Sequence, residues 1–125
     1  MARSVVTSDR IAAPVGPFSP AVRAGEWLYL SGQVAQDPAT GRLIDGDVAE
    51  QAELVLRNIA AVLSAAGKSF ADVVKVNVFL TDMRDFQAMN AAYARHFEAP
   101  YPARTTVAVV ALPLGARVEM DLVAR

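Results

Sequence analysis

Residues 47–80 read DVAEQAELVLRNIAAVLSAAGKSFADVVKVNVFL, and the hydrophobic period changes inside this stretch. Asp47 followed by Glu50 has the spacing of a capping box, with aspartate in place of the usual Ser or Thr. Val55, Ile59, Val62, Leu63 and Ala66 then recur at helical spacing, and Gly67 supplies a C-terminal stop. From Val73 to Leu80 the run is rich in β-branched residues, which crowd a helix but pack well on a pleated surface. It reads as a strand buried on at least one face.

The pattern repeats on the C-terminal side. Asp82 can cap a second helix that carries Phe86, Met89, Tyr93 and Phe97 on one stripe, and Pro100 and Pro102 end it. Thr105–Leu112 reads as another Val-rich strand. A Pro113-Leu114-Gly115 turn leads into Val118–Val123, where Val118, Met120 and Leu122 alternate with Glu119 and Asp121. On the N-terminal side, Pro14, Gly16, Pro17 and Pro20 make residues 13–20 an ordered loop. Trp27-Leu28-Tyr29-Leu30 reads as a short strand closed by a Ser31-Gly32 turn, and Asp37-Pro38 with Thr40-Gly41 marks a hairpin tip. The resulting order is a β-rich start, then α, β, α, β, β. It predicts an α+β layer sandwich, a mixed sheet with two helices packed on one face.

The length of 125 residues fits one domain over residues 1–125. The chain is 54% hydrophobic, high for a small monomer, so either the core is unusually full or apolar surface is buried against another subunit. Twelve Lys and Arg are scattered among thirteen Asp and Glu, with a formal charge of -1 and no basic run. That balance argues against nucleic-acid and membrane-surface partners. The absence of cysteine excludes disulfides, thiolate catalysis and Cys-ligated metals. The first residues carry no apolar leader, and no stretch approaches a membrane-spanning length, so a cytoplasmic location is the expectation.

Few residues carry chemistry. Gly67-Lys68-Ser69 resembles the tail of a phosphate loop, but Val62 stands where that motif needs glycine, and the helix precedes the triplet; it reads as a helix stop. His96, the only histidine, sits near the end of the second helix, where an imidazole suits the dipole and solvent. One His with no Cys leaves no structural zinc set, and no G-x-S-x-G elbow accompanies Ser19 or Ser31. Asn90 lies within the apolar stripe. Its amide must be satisfied, either by backbone or by a ligand or loop at a site. Arg104 stands at the threshold of the strand beginning at Thr105. Alone it is a solvated strand-end residue, yet its planar fork matches a carboxylate as lysine cannot. Glu119 occupies the polar phase of its strand, where exposure is expected.

The order of these residues is more telling. Gly16-Pro17-Phe18-Ser19-Pro20-Ala21-Val22, Leu28-Tyr29-Leu30-Ser31-Gly32-Gln33 and Thr40-Gly41 are followed by Asn58, Val73-Val74-Lys75-Val76 and Met89-Asn90-Ala91-Ala92-Tyr93. Pro102-Ala103-Arg104, Leu112-Pro113 and Val118-Glu119-Met120 complete a series that resembles the RidA/YjgF family over nearly the whole chain. The resemblance implies an α+β fold of the chorismate-mutase-like kind, assembled as a homotrimer with active sites in clefts between subunits. It implies hydrolytic deamination of 2-aminoacrylate, 2-iminobutanoate and related intermediates released by pyridoxal-phosphate enzymes, giving 2-keto acids and ammonia without metal or organic cofactor. Arg104 matches the family's carboxylate-binding arginine. Glu119 matches a carboxylate that holds or activates the attacking water, from across the subunit boundary. Ser31, Gly32 and Asn90 match positions that line the pocket. Two further pocket positions depart from the pattern: Phe18 stands where the best-studied deaminases have tyrosine, and Thr106 replaces a common cysteine. The segment between Phe97 and Arg104 is also short. These departures leave open a pathway-specific deaminase of bulkier imines, and a keto-acid-binding trimer without turnover.

Overall fold

A computed structural model describes residues 2–125. Strands β1 (Ser4–Val6), β2 (Ala21–Ala24), β3 (Trp27–Gln33), β4 (Val73–Leu80), β5 (Ala103–Ala108) and β6 (Val118–Ala124) form one sheet in the order β1-β2-β3-β6-β4-β5. Only β4 and β5 run parallel; every other neighbouring pair is antiparallel. Helices α1 (Val48–Ala65) and α2 (Phe86–Ala94) pack against one another, with α1 lying over β3 and β6. This is the mixed sheet with two helices that the sequence predicts.

The caps expected for α1 form. Glu50 N donates to Asp47 Oδ1 at 2.9 Å, and Asp47 N donates back to Glu50 Oε1 at 3.3 Å, so the reciprocal box starts α1. Gly67 takes φ +73°, a left-handed conformation open to glycine, and Lys68 N donates to Leu63 O at 2.8 Å to close the helix. Ser69 then caps a 3-10 turn, Phe70–Asp72, that delivers the chain into β4. Val76, Val78 and Leu80 of β4 meet Leu122, Met120 and Val118 of β6, and all six are buried beneath the helices. The parallel partner β5 requires a crossover, and α2 supplies it. No helix among the described residues is long and apolar enough to cross a membrane.

The structure corrects several boundaries. Ser31-Gly32 does not close β3. The strand runs on to Gln33, and the ladder to β6 shifts between Leu30 and Gln33, a one-residue irregularity at Ser31 and Gly32. Asp82 caps a 3-10 turn, Met83–Asp85, rather than α2 itself, which starts at Phe86 and stops at Ala94. Phe97 and His96 therefore lie beyond the helix. β5 opens at Ala103 and leaves the sheet after Ala108, so Arg104 sits within the strand instead of at its threshold. Strands β1 and β2, three and four residues long, are too brief for alternation to reveal. The hairpin tip is real: Gln36 bridges Leu43, and Asp37 N donates to Arg42 O at 2.8 Å.

Candidate active site

The parity of β5 decides where Arg104 points. It pairs with Val76, a buried residue of the helix-covered face, so its side chain rises toward α2. There Arg104 Nη2 donates to Asn90 Oδ1 at 2.7 Å. The guanidinium carbon lies 4.7 Å from the centre of the Tyr93 ring and 5.7 Å from that of Phe86. Asn90 is half-buried, and its oxygen is satisfied by the arginine, not by backbone. Among the described residues no carboxylate pairs with Arg104. A cleft of about 330 Å³ opens beside it, lined by Asn90, Tyr93, Ala94, Tyr101, Pro102 and Arg104. Thr106, two residues on and on the same face, has a buried hydroxyl with no partner among the described residues, as does Tyr93. Burial pushes the Tyr93 phenol up to about 12 against the pull of the Arg104 charge, so the ring faces the cation as a neutral phenol.

Glu119 pairs with Phe79 and alternates with buried Val118 and Met120, which places it on the opposite, uncovered face. It is not the solvated strand carboxylate of the simplest reading. Its side chain lies directly over Gly32: a Cβ at that glycine would stand 2.5 Å from Glu119 Oε2 and 2.8 Å from Cδ. Burial first, and the neighbouring Asp121 charge second, raise the Glu119 carboxyl above its ordinary range. Ser31 does structural work beside it. Its hydroxyl donates to Ser19 O at 2.6 Å and its N–H to Pro20 O at 3.0 Å, tying the loop that carries Phe18 to β3. Phe18 itself is 53% exposed, presenting an apolar ring at the mouth of this second cluster.

The sequence-selected residues therefore fall into two groups. Arg104, Asn90 and Thr106 share the helix-covered face; Ser31, Gly32 and Glu119 share the region of the open face, with Phe18 on the adjoining loop. Within the chain the sheet separates Arg104 from Glu119.

His96 stands apart from both groups. Its side chain is only 18% exposed and its Nε2 lies 3.0 Å from each Glu53 oxygen, so it ties the segment after α2 to α1 instead of meeting solvent at a helix end. The hydrogen bond from His96 is the main cause that holds the Glu53 carboxyl below its ordinary range. Two buried amides also went unread as clamps. Gln51 Oε1 accepts from Arg117 N at 2.9 Å and Asn58 Nδ2 donates to Gln36 O at 3.0 Å. Their signal was present: polar residues in phase with the apolar stripe of α1.

Residues 7–125 match the family model described as Endoribonuclease L-PSP. The chain belongs to this family, RidA/YjgF. Its relatives include Protein DfrA of Myxococcus xanthus, 48% identical over 126 residues that cover 99% of this chain and 96% of that protein. The 2-iminobutanoate/2-iminopropanoate deaminase of Bos taurus is 42% identical over 124 residues, covering 99% and 90%. Among solved structures, RidA from the Antarctic bacterium Psychrobacter sp. PAMC 21119 superposes with a TM-score of 0.93 at 44% identity, over 97% of this chain and 98% of that one. The fold of this RidA-family chain is thus shared over almost its full described length.

Proposed function

We propose that this protein is an enamine/imine deaminase, hydrolysing acids of the 2-aminoacrylate and 2-iminobutanoate type to 2-keto acids and ammonia. The sites lie between the protomers of a homotrimer of chorismate-mutase-like architecture. The observation that carries the reading is the state of Arg104, a half-buried guanidinium beside a cleft, oriented by an amide and a ring but neutralised by no carboxylate among the described residues. Such a cation is available to a ligand carboxylate through two parallel hydrogen bonds.

The chemistry asks little more. A protonated imine carbon is already electrophilic, so the site has to hold the anion and aim a water molecule. Glu119, its carboxyl raised by burial, takes a proton as the water oxygen bonds to the imine carbon. The C–N bond of the resulting carbinolamine then breaks as that proton passes to nitrogen and the carbinolamine hydroxyl gives its own proton to the vacated Glu119 carboxylate, releasing ammonia and leaving the carbonyl of the keto acid; the proton on Glu119 leaves with the ammonia as ammonium. The backbone of Gly32 and the hydroxyl of Thr106 complete the wall. Assembly between protomers is supported by the opposite faces on which Arg104 and Glu119 lie, since a neighbouring copy is what joins them. The open face is also apolar enough to be covered: Tyr29 is 46% exposed and Val107 39%. We place the reaction in the cytoplasm, with the enzymes that release such imines.

Phe18 favours a second version of the same chemistry. Without a hydroxyl at that position the mouth is apolar, which suits larger imines. Endoribonuclease activity, named in the description of the family model, finds less support, because twelve cationic residues are balanced by thirteen anionic ones.

The test is keto-acid and ammonia release from 2-iminobutanoate generated in situ. Arg104→Ala and Glu119→Gln should each remove most activity. Co-expressed in equal amount, the two inactive chains should recover about one quarter of the wild-type rate. Each site draws one residue from either protomer, and each is wild type at half the positions. No recovery would place the whole site in one protomer, and an inert wild-type protein would remove the reading.

A further inference from the structure

Behind Arg104 the side chains form a continuous aromatic stack. The Tyr93 ring, 5% exposed, lies under the guanidinium at 4.7 Å. Phe97 stacks on Tyr93, with centroids 4.3 Å apart and planes at 20°. Phe70 meets Phe97 edge-on at 4.8 Å, and His96 leans on Phe70 at 5.6 Å. The imidazole is in turn held to Glu53 of α1. The stack thus spans α2, the segment after it and the turn before β4, and ends anchored on α1.

We propose that Tyr93 is a positioning residue: its ring is the platform that sets the plane of the Arg104 guanidinium, while Asn90 sets the rotation within that plane. The carboxylate to be met is the one assigned under the deaminase reading, on which this inference rests; the platform itself is a property of the unliganded protein. Two restraints of different geometry are needed to fix a planar fork. The hydrogen bond from Nη2 to Asn90 Oδ1 leaves the guanidinium free to tilt about that contact, and the ring beneath removes the tilt.

The choice of partners has an electrostatic logic. An aspartate in place of Asn90, or a glutamate in place of Tyr93, would orient the arginine equally well but would neutralise it and compete with the substrate anion. A ring quadrupole and an amide oxygen hold the cation and leave its charge available. The Tyr93 hydroxyl has no partner among the described residues, and it is the ring face that meets the cation.

The experiment begins with the unliganded protein, ¹⁵N-labelled at arginine. The Arg104 Nε–Hε resonance should be displaced by the ring current and show slow guanidinium rotation. Tyr93→Phe should preserve both, with kcat/KM within about twofold of wild type, since the ring is kept. Tyr93→Leu should return the resonance toward an unrestrained position. It should also raise KM for the imine and the inhibition constant of 2-oxobutanoate in parallel by about tenfold, between the values of an exposed and a desolvated cation–π contact. A change confined to folding would not produce that parallel shift with rescue by phenylalanine. If Tyr93→Leu does not fold, the wild-type resonance and the phenylalanine variant decide. An unshifted, freely rotating Arg104 in the wild type overturns the platform whatever the activity, as does a phenylalanine variant as impaired as leucine. A wild type with shifted, slow Arg104 but no imine turnover sinks the deaminase reading alone.

Discussion

Replacing Gly32 with alanine should separate catalysis from stability. Gly32 is not among the positive-φ residues, so alanine is compatible with its backbone, and the change acts through the added methyl group. That carbon would lie 2.5 Å from Glu119 Oε2, 2.8 Å from Cδ and 3.2 Å from Cγ. An ordinary contact is about 3.5 Å, so the carboxylate must withdraw by about 1 Å. Its end is flexible, and the fold should absorb the change through an off-rotamer side chain at about 0.5–1.5 kcal/mol. Misplacing a catalytic group by about 1 Å can lower the rate by about 100-fold, or about 2.7 kcal/mol of transition-state stabilisation. Activity should therefore fall further than stability.

The assay pairs kcat/KM for imine hydrolysis with thermal unfolding of the same preparation. Gly32→Ala added to Glu119→Gln should have little further effect on rate, because both act on one carboxylate. A carboxylate moved toward water also loses part of the burial that raises it, so the acid limb of the rate profile should shift to lower pH. Gly32→Ala with activity within threefold of wild type would refute the placement of Glu119 in the reaction.

Three further outcomes follow from named contacts. For Glu119, folding raises the carboxyl, so its ionised form is disfavoured in the native state above that raised value. Glu119→Gln should therefore increase the melting temperature near neutral pH, a gain that fades as pH falls through the raised native value and is gone below the ordinary carboxylate range. Tyr29→Asp, on the uncovered face, should leave far-ultraviolet dichroism intact while reducing the sedimentation coefficient to that of a monomer and abolishing turnover; an unchanged assembly would argue against that face as the interface. Asn58→Leu leaves the Gln36 carbonyl without its donor and should lower unfolding free energy by about 1–3 kcal/mol in a denaturant titration, with KM unchanged.

Much of this protein was legible before any coordinates. The capping pair Asp47 and Glu50, the stripe of α1, the stop at Gly67 and the β-branched run of β4 are local signals, written within a few residues of where they act. The order of Ser31-Gly32, Met89-Asn90 and Pro102-Ala103-Arg104 along the chain likewise carries the family. Ser31-Gly32 reads as a turn in the sequence because an irregular strand position and a turn use the same residue types, and only the ladder to β6 tells them apart. Asn90 remained ambiguous, because its partner lies fourteen residues away on another element.

What the tertiary structure alone decided is on which side of the sheet each residue acts. Side-chain parity in a strand is fixed by register with its neighbours, so a shift of one residue would have exchanged the faces of Arg104 or Glu119. The sequence determined which groups are present and which local elements hold them. The pairing of β4 with β5 and β6 put the cation on the helix side and the carboxylate on the other, because hydrogen bonding between distant strands, unlike a helix cap, has no short-range signature.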